Sequence, residues 1–203
     1  MARRRGPRGD VTLPLLLAAA ERVLAEHGPD GLTLRAVAQE AGISPNAVYT
    51  YVDDMSELRH QLADDYLGRI DLELLHGPKP AASFPQFLRH VLDLLRASPG
   101  HLALLAADRV GGPHALALNE ALLRFFVSDV GHSREHAAIC TATVTEWVHG
   151  AILLALSEVG SPAFHRAIAR ADLSAYPLTA AMTPVGPEDG VALIARAVLG
   201  PAP

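Results

Sequence analysis

The stretch LRAVAQEAGISPNAVYTY, residues 34–51, decides the fold. Leu34 to Glu40 spaces its apolar residues as one face of a short helix does, and Thr33 stands where an N-cap belongs. Ala41-Gly42 is a tight turn, with glycine supplying a backbone conformation that other residues resist. Ser44 caps a second helix, Pro45 takes its first position, and the helix runs from Asn46 to about Val52. Small Ala38 allows close approach of the two helices, while Ile43 and Val48 face inward and set their crossing. This is the pattern of a helix-turn-helix. The N-terminal residues of its second helix would point at base edges in a major groove. Its first N–H groups favour a phosphate oxygen.

Upstream, Arg3-Arg4-Arg5 followed by Leu13-Pro14-Leu15-Leu16-Leu17-Ala18-Ala19-Ala20 mimics a secretory signal. The pattern instead continues through Glu21-Arg22-Val23-Leu24-Ala25-Glu26-His27. Leu13, Leu17, Ala20 and Leu24 form one helical stripe with Leu16 and Val23 beside it. Asp10 or Thr12 caps this amphipathic helix, Pro14 falls in its first turn, and Gly28-Pro29 ends it. No uninterrupted apolar run reaches 18 residues, so the reading includes no membrane span. It places the protein in the cytoplasm.

Downstream, a cap at Asp53 or Asp54 opens a long helix carrying Leu58, Leu62, Tyr66 and Ile70, and Gly77-Pro78-Lys79-Pro80 breaks the chain. Further helices are expected at about 84–97, 99–109, 113–129, 133–158, 163–173 and 188–199, separated by Gly and Pro breakers. No stretch alternates as a strand would, so the fold class is all-α. The composition agrees: 50% of the 203 residues are hydrophobic but only 5% aromatic, with Ala and Leu dominant. Such a chain is not disordered. A mean hydropathy of +0.20 asks for apolar burial beyond one ordinary core, in a subunit interface or a pocket.

Formal charge is −5, which by itself does not announce nucleic-acid binding. Its distribution says more. Residues 1–60 hold seven arginines against eight acids, and four of the arginines (Arg3, Arg4, Arg5, Arg8) lie in the first eight residues. A basic arm precedes an acidic body. Cys140 is the one cysteine, so no intrachain disulfide can form. His132, His136 and Cys140 are spaced by four, which can place them on one helix face. Such spacing is more often incidental, and no metal site and no cofactor is assigned. No catalytic residue is assigned either, since residues 63–203 hold no nucleophile elbow, phosphate loop or His-Glu-x-x-His.

Residues 11–62 resemble the N-terminal domain of the TetR family of transcriptional repressors. The matching residues are Ala25-Glu26-His27-Gly28, Gly31-Leu32-Thr33-Leu34-Arg35-Ala36-Val37-Ala38, Ala41-Gly42-Ile43-Ser44, Val48-Tyr49-Thr50-Tyr51-Val52 and Glu57-Leu58. Two positions depart from the family's pattern. Tyr51-Val52 stands for the common His-Phe pair, and Met55, beside Asp53 and Asp54, stands for the common lysine. The resemblance implies a homodimeric repressor with a basic arm (1–9), a DNA-binding domain (10–60) and an effector-binding, dimerising domain (61–203).

Arg35 is long enough to reach a guanine edge or a phosphate, and Asn46 can pair with an adenine edge. Pro45 offers apolar contact to a thymine methyl, and Thr50 projects beside them. Thr33 caps or touches phosphate, Ser44 opens the recognition helix, and Tyr49 and Tyr51 suit phosphate oxygens. The partner is double-stranded operator DNA. The resemblance further implies a dimer through helices near 133–158 and 188–199. It also implies an effector pocket, with Leu62, Tyr66, Leu102, Leu105, Phe125, Phe126 and Trp147 as candidate lining residues. Scarce lysine and dispersed charge suit an apolar or weakly polar effector. The alternative is a helical small-molecule-binding protein or enzyme that kept the fold without the DNA function.

Overall fold

The computed structural model describes residues 12–158, 162–182 and 186–200. Helices α1 (Leu13–Gly31), α2 (Leu34–Glu40), α3 (Pro45–Val48) and α4 (Met55–Leu67) are followed by a 3-10 turn, Leu72–Leu75. Next come α5 (Pro80–Ala97), α6 (Pro99–Ala107), α7 (Pro113–Arg124) and α8 (Arg134–Glu158). The chain ends with α9 (Pro162–Arg170), a 3-10 turn at Leu173–Ala175, α10 (Pro177–Ala180) and α11 (Pro187–Leu199). Among the described residues there is no strand, as the lack of alternation led one to expect. The arm 1–9 and the proposed cap Asp10 lie outside the described residues.

The chain divides into two compact units, residues 1–69 with 97–116, and 70–96 with 117–203. In the first, α1 packs on α2, α4 and α6, α2 on α3, and α4 on α6. The buried face of α1 is Leu16, Ala19, Ala20, Val23 and Leu24, the i, i+3, i+4, i+7, i+8 series of an amphipathic helix. Leu13 and Leu17 are only half-buried, so the stripe is centred about one residue away from the sequence reading. Helical geometry breaks at Gly28, φ 68°, and Pro29 starts a last turn.

In the second unit, Phe84, Phe87, Phe125 and Phe126 form the aromatic core. Phe84 stacks at 5.3 Å on Phe125 and meets Phe126 edge-on at 5.4 Å. The expected single helix 113–129 is in fact α7 followed by a π-turn, Phe125–Asp129, closed by Val130 N–H to the Phe125 carbonyl at 3.1 Å. Two consecutive phenylalanines, Phe125 and Phe126, enter the core from this turn. α8 packs on this turn and on α11.

Residues Arg134–Leu156 of α8 have a mean hydropathy of 1.5 and are long and apolar enough, by length and composition, to cross a membrane. Charged residues interrupt the run without outweighing its Ala, Ile, Val and Leu. Only 22% of that window is buried, and Ile139, Leu153 and Leu154 lie more than half exposed.

Candidate nucleic-acid interface

Thr33 is extended (φ −125°, ψ 151°), and its hydroxyl accepts the Ala36 N–H at 3.2 Å, capping α2. α2 buries Val37 and Ala38 completely and leaves Arg35 exposed. At its end Ala41 N–H bonds the Val37 carbonyl (2.8 Å) and Ile43 N–H the Ala38 carbonyl (2.9 Å), a glycine-type helix stop. Gly42 sits in the left-handed region at φ 68°, as the turn requires. Val48 is fully buried and Ile43 half-buried. The turn, the spacing and the inward residues are those read from the sequence.

The second helix is shorter than expected. α3 ends at Val48, and Thr50 and Tyr51 close tighter i→i+3 turns on Ala47 (3.2 Å) and Val48 (2.9 Å). Ser44 occupies the N-cap position without a side-chain capping bond, a second departure. A β-branched and aromatic run, Val48-Tyr49-Thr50-Tyr51-Val52, has weak helix propensity, which accounts for the early end. Pro45, Asn46, Tyr49 and Thr50 are exposed, Tyr49 by 57%, and Tyr51 is half-buried. A tyrosine that exposed contributes little to the core.

Asp54 caps α4 by accepting the Glu57 N–H at 2.9 Å, while Glu57 reaches back to the Asp53 N–H at 2.5 Å. The arrangement is like a capping box, with the return bond shifted to the residue before the N-cap. The acids beside Met55 therefore hold the chain turn after α3. Arg22 of α1 pairs with Glu40 of α2 at 2.5 Å.

Three polar devices in the first unit escaped the sequence reading. The Asp64 carboxylate, 5% exposed, accepts the backbone N–H groups of Ala115 (2.9 Å) and His114 (3.2 Å) and so caps α7 from another helix. The signal for it was the Gly111-Gly112-Pro113 start of α7, which brings no capping side chain of its own. His60 Nε2 accepts the Gly111 N–H at 3.2 Å. His60 also lines a cleft of about 260 Å³ with Ser56, Arg59, Ala63, Leu104, Ala107, Asp108 and Val110.

The third device is centred on His101, 3% exposed. Its Nδ1 lies 2.8 Å from the Ser98 hydroxyl, its Nε2 lies 3.1 Å from Glu21, and its ring stacks on Tyr66 at 4.0 Å. Arg69 pairs with the same Glu21 and covers the Tyr66 ring at 4.9 Å. Burial pushes the imidazole below its ordinary value, with Glu21 pulling the other way, and burial raises the Tyr66 phenol.

The candidate effector residues fall in both units. Leu62, Tyr66, Leu102 and Leu105 are buried in the first, and none of them lines the cleft. Phe125 and Phe126 fill the aromatic core of the second. Trp147, half-buried on α8, lies against Gly190 of α11, whose added Cβ would come within 3.1 Å of the indole.

Residues 16–62 match the family described as bacterial regulatory proteins, tetR family. No curated protein matches the chain. Among solved structures, the TetR family protein ActR of Streptomyces coelicolor, in complex with actinorhodin, is similar at a TM-score of 0.76 and 20% identity, over 94% of this chain and 96% of that one. TetR of Acinetobacter baumannii AYE is similar at 0.63 and 19%, over 94% and 95%. BioQ, solved with its natural double-stranded DNA operator, is similar at 0.60 and 21%, over 91% and 99%. The chain carries an N-terminal domain of the tetR family of bacterial regulatory proteins, within the all-helical fold of the solved TetR regulators.

Proposed function

We propose that the protein is a ligand-responsive transcriptional repressor of the cytoplasm that binds a palindromic operator as a homodimer. The observation that carries this reading is the split in α2 and α3. Val37, Ala38 and Val48 are completely buried, while Arg35, Pro45, Asn46, Tyr49 and Thr50 are left to solvent. A helix-turn-helix that packs only its apolar side has a polar side for base edges and phosphates. The operator complex of BioQ supports the DNA half of the proposal, and the actinorhodin complex of ActR supports the effector half.

Residues 10–60 serve as the reading head and residues 61–203 as the effector-binding and dimerising body. A second copy covers the apolar residues that α8 and α11 leave exposed, among them Ile139, Leu153 and Leu193. The effector is apolar or weakly polar. It acts by binding one dimer shape better than the other, which sets how far apart the two heads stand.

The test is fluorescence anisotropy with the promoter DNA beside the protein's own gene, against scrambled DNA of equal length. Tight, specific binding that an organic extract of the producing cells reverses supports the reading. Equal affinity for both DNAs sinks the repressor assignment and favours the small-molecule-binding alternative. Mass spectrometry of co-purified molecules identifies the effector.

A further inference from the structure

The π-turn after α7 delivers the chain to Gly131, φ 85°, and then to His132. His132 is fixed on three sides. Its N–H bonds the Phe126 carbonyl at 2.9 Å, its ring stacks on Phe126 at 6.1 Å, and its Nε2 lies 2.8 Å from the Val198 carbonyl of α11. His136, in the first turn of α8, is exposed and meets the His132 ring edge-on at 4.5 Å. Cys140, one turn further, is buried, and its Sγ lies 3.5 Å from that same Val198 carbonyl. One ligand atom from each of the three residues lies within 4.8 Å of the other two. Spacing alone left this an incidental i, i+4, i+8 series. The backbone has brought the three donors into one cluster, one of them outside the helix.

We propose that His132, His136 and Cys140 form a binding site for a divalent zinc-type cation. Two imidazoles and one thiolate are a ligand set for tetrahedral zinc with an open fourth position. Bond lengths of about 2.0–2.1 Å to nitrogen and 2.3 Å to sulfur put the ligand atoms roughly 3.3–3.6 Å apart around the ion. The cluster must therefore contract by up to about 1.2–1.5 Å, and the exposed His136 side chain is free to make that movement by a rotamer change. His132 needs no such search, since Phe126 and Val198 already hold its ring. No carboxylate belongs to the cluster, which disfavours calcium and magnesium. Binding displaces the thiol proton, so affinity rises with pH. Because the cluster touches Val198, an ion there ties the start of α8 to the end of α11.

The test uses the full chain, reduced and stripped with a chelator, then titrated with Co²⁺ and afterwards Zn²⁺. The proposal expects one Co²⁺ per chain, a thiolate-to-cobalt charge-transfer band with the visible bands of tetrahedral cobalt, and displacement by Zn²⁺. Cys140→Ser abolishes the charge-transfer band. Should that buried replacement unfold the chain, His136→Ala at the exposed position decides the matter. It weakens Zn²⁺ binding at least ~10-fold in competition with a chromophoric chelator, leaving circular dichroism unchanged. A wild-type protein without the thiolate band, or equal Zn²⁺ affinity in wild type and His136→Ala, overturns the proposal.

Discussion

Arg35 and Tyr49 are the residues whose removal separates contact from core. Both are exposed, so Arg35→Ala and Tyr49→Phe should leave the unfolding free energy within about 0.5 kcal/mol of wild type. Each should weaken operator binding by about 1–3 kcal/mol, read by anisotropy. Loss of folding and binding together would mark them as structural. Asp64 behaves in the opposite way. Asp64→Ala leaves the His114 and Ala115 N–H groups without their acceptor and should cost about 1–3 kcal/mol in denaturant unfolding. Asp64→Asn keeps one oxygen and should recover part of the loss. The exposure of the first pair was legible in the sequence because a helix-turn-helix pattern is local, fixed by Ala38, Gly42 and Val48 within a few residues. Asp64 was not, since its partners lie 50 and 51 positions away and nothing local distinguishes it from a solvated helix acid.

At the scale of elements, breakers placed the helices well and internal geometry did not. Proline and glycine act on their own turn, so Gly77-Pro78, Ser98-Pro99 and Gly111-Gly112-Pro113 mark real boundaries. The π-turn at Phe125–Asp129 and the early end of α3 are decided by packing and by crowded side chains, and periodicity cannot register them. α8 and α11 carry a prediction of their own. Leu193 of α11 is 66% exposed, and a charge there should be harmless in a monomer and severe in an interface between copies. Leu193→Glu should shift the sedimentation mass from about twice 21.5 kDa to that of a single chain, with helicity retained. Wild-type sedimentation as a single chain would remove the two-headed mechanism.

At the scale of the molecule, acid and salt act on different parts. His101 is held below its ordinary value by burial, while in the unfolded chain it titrates near 6.5. The unfolded state then binds a proton that the folded state resists. The stability contribution is complete above about pH 6.5 and is lost as pH falls from there toward the lower folded value. The melting temperature should drop as pH falls below about 6.5, and His101→Gln should flatten that drop. Salt should act on the proposed DNA-binding residues. Deleting residues 1–9 removes Arg3, Arg4, Arg5 and Arg8. It should lower affinity for operator and random DNA alike and shrink the salt slope by about one unit per lost phosphate contact. Met55→Lys should add about one unit with little change in preference. Anisotropy at several salt concentrations reads both, and an unchanged slope after deletion would make the arm a solvated tail.

If α3 is the helix that reads DNA, its four residues are also a short message. If three or four side chains on and just after α3 reach base edges, one copy reads roughly four base pairs, about 8 bits, and a palindromic pair about 16. Naming one address among ~10⁶ competing sites takes about 20 bits. The shortfall leaves two outcomes: the operator is set apart further by its shape and flanks, or several addresses answer to the same protein. On the proposed palindromic site each contacted base pair would carry about an eighth of the directly read message, so single changes there should silence an address; in the first case the sequence between the half-sites is constrained as well, and only in the second does it drift freely.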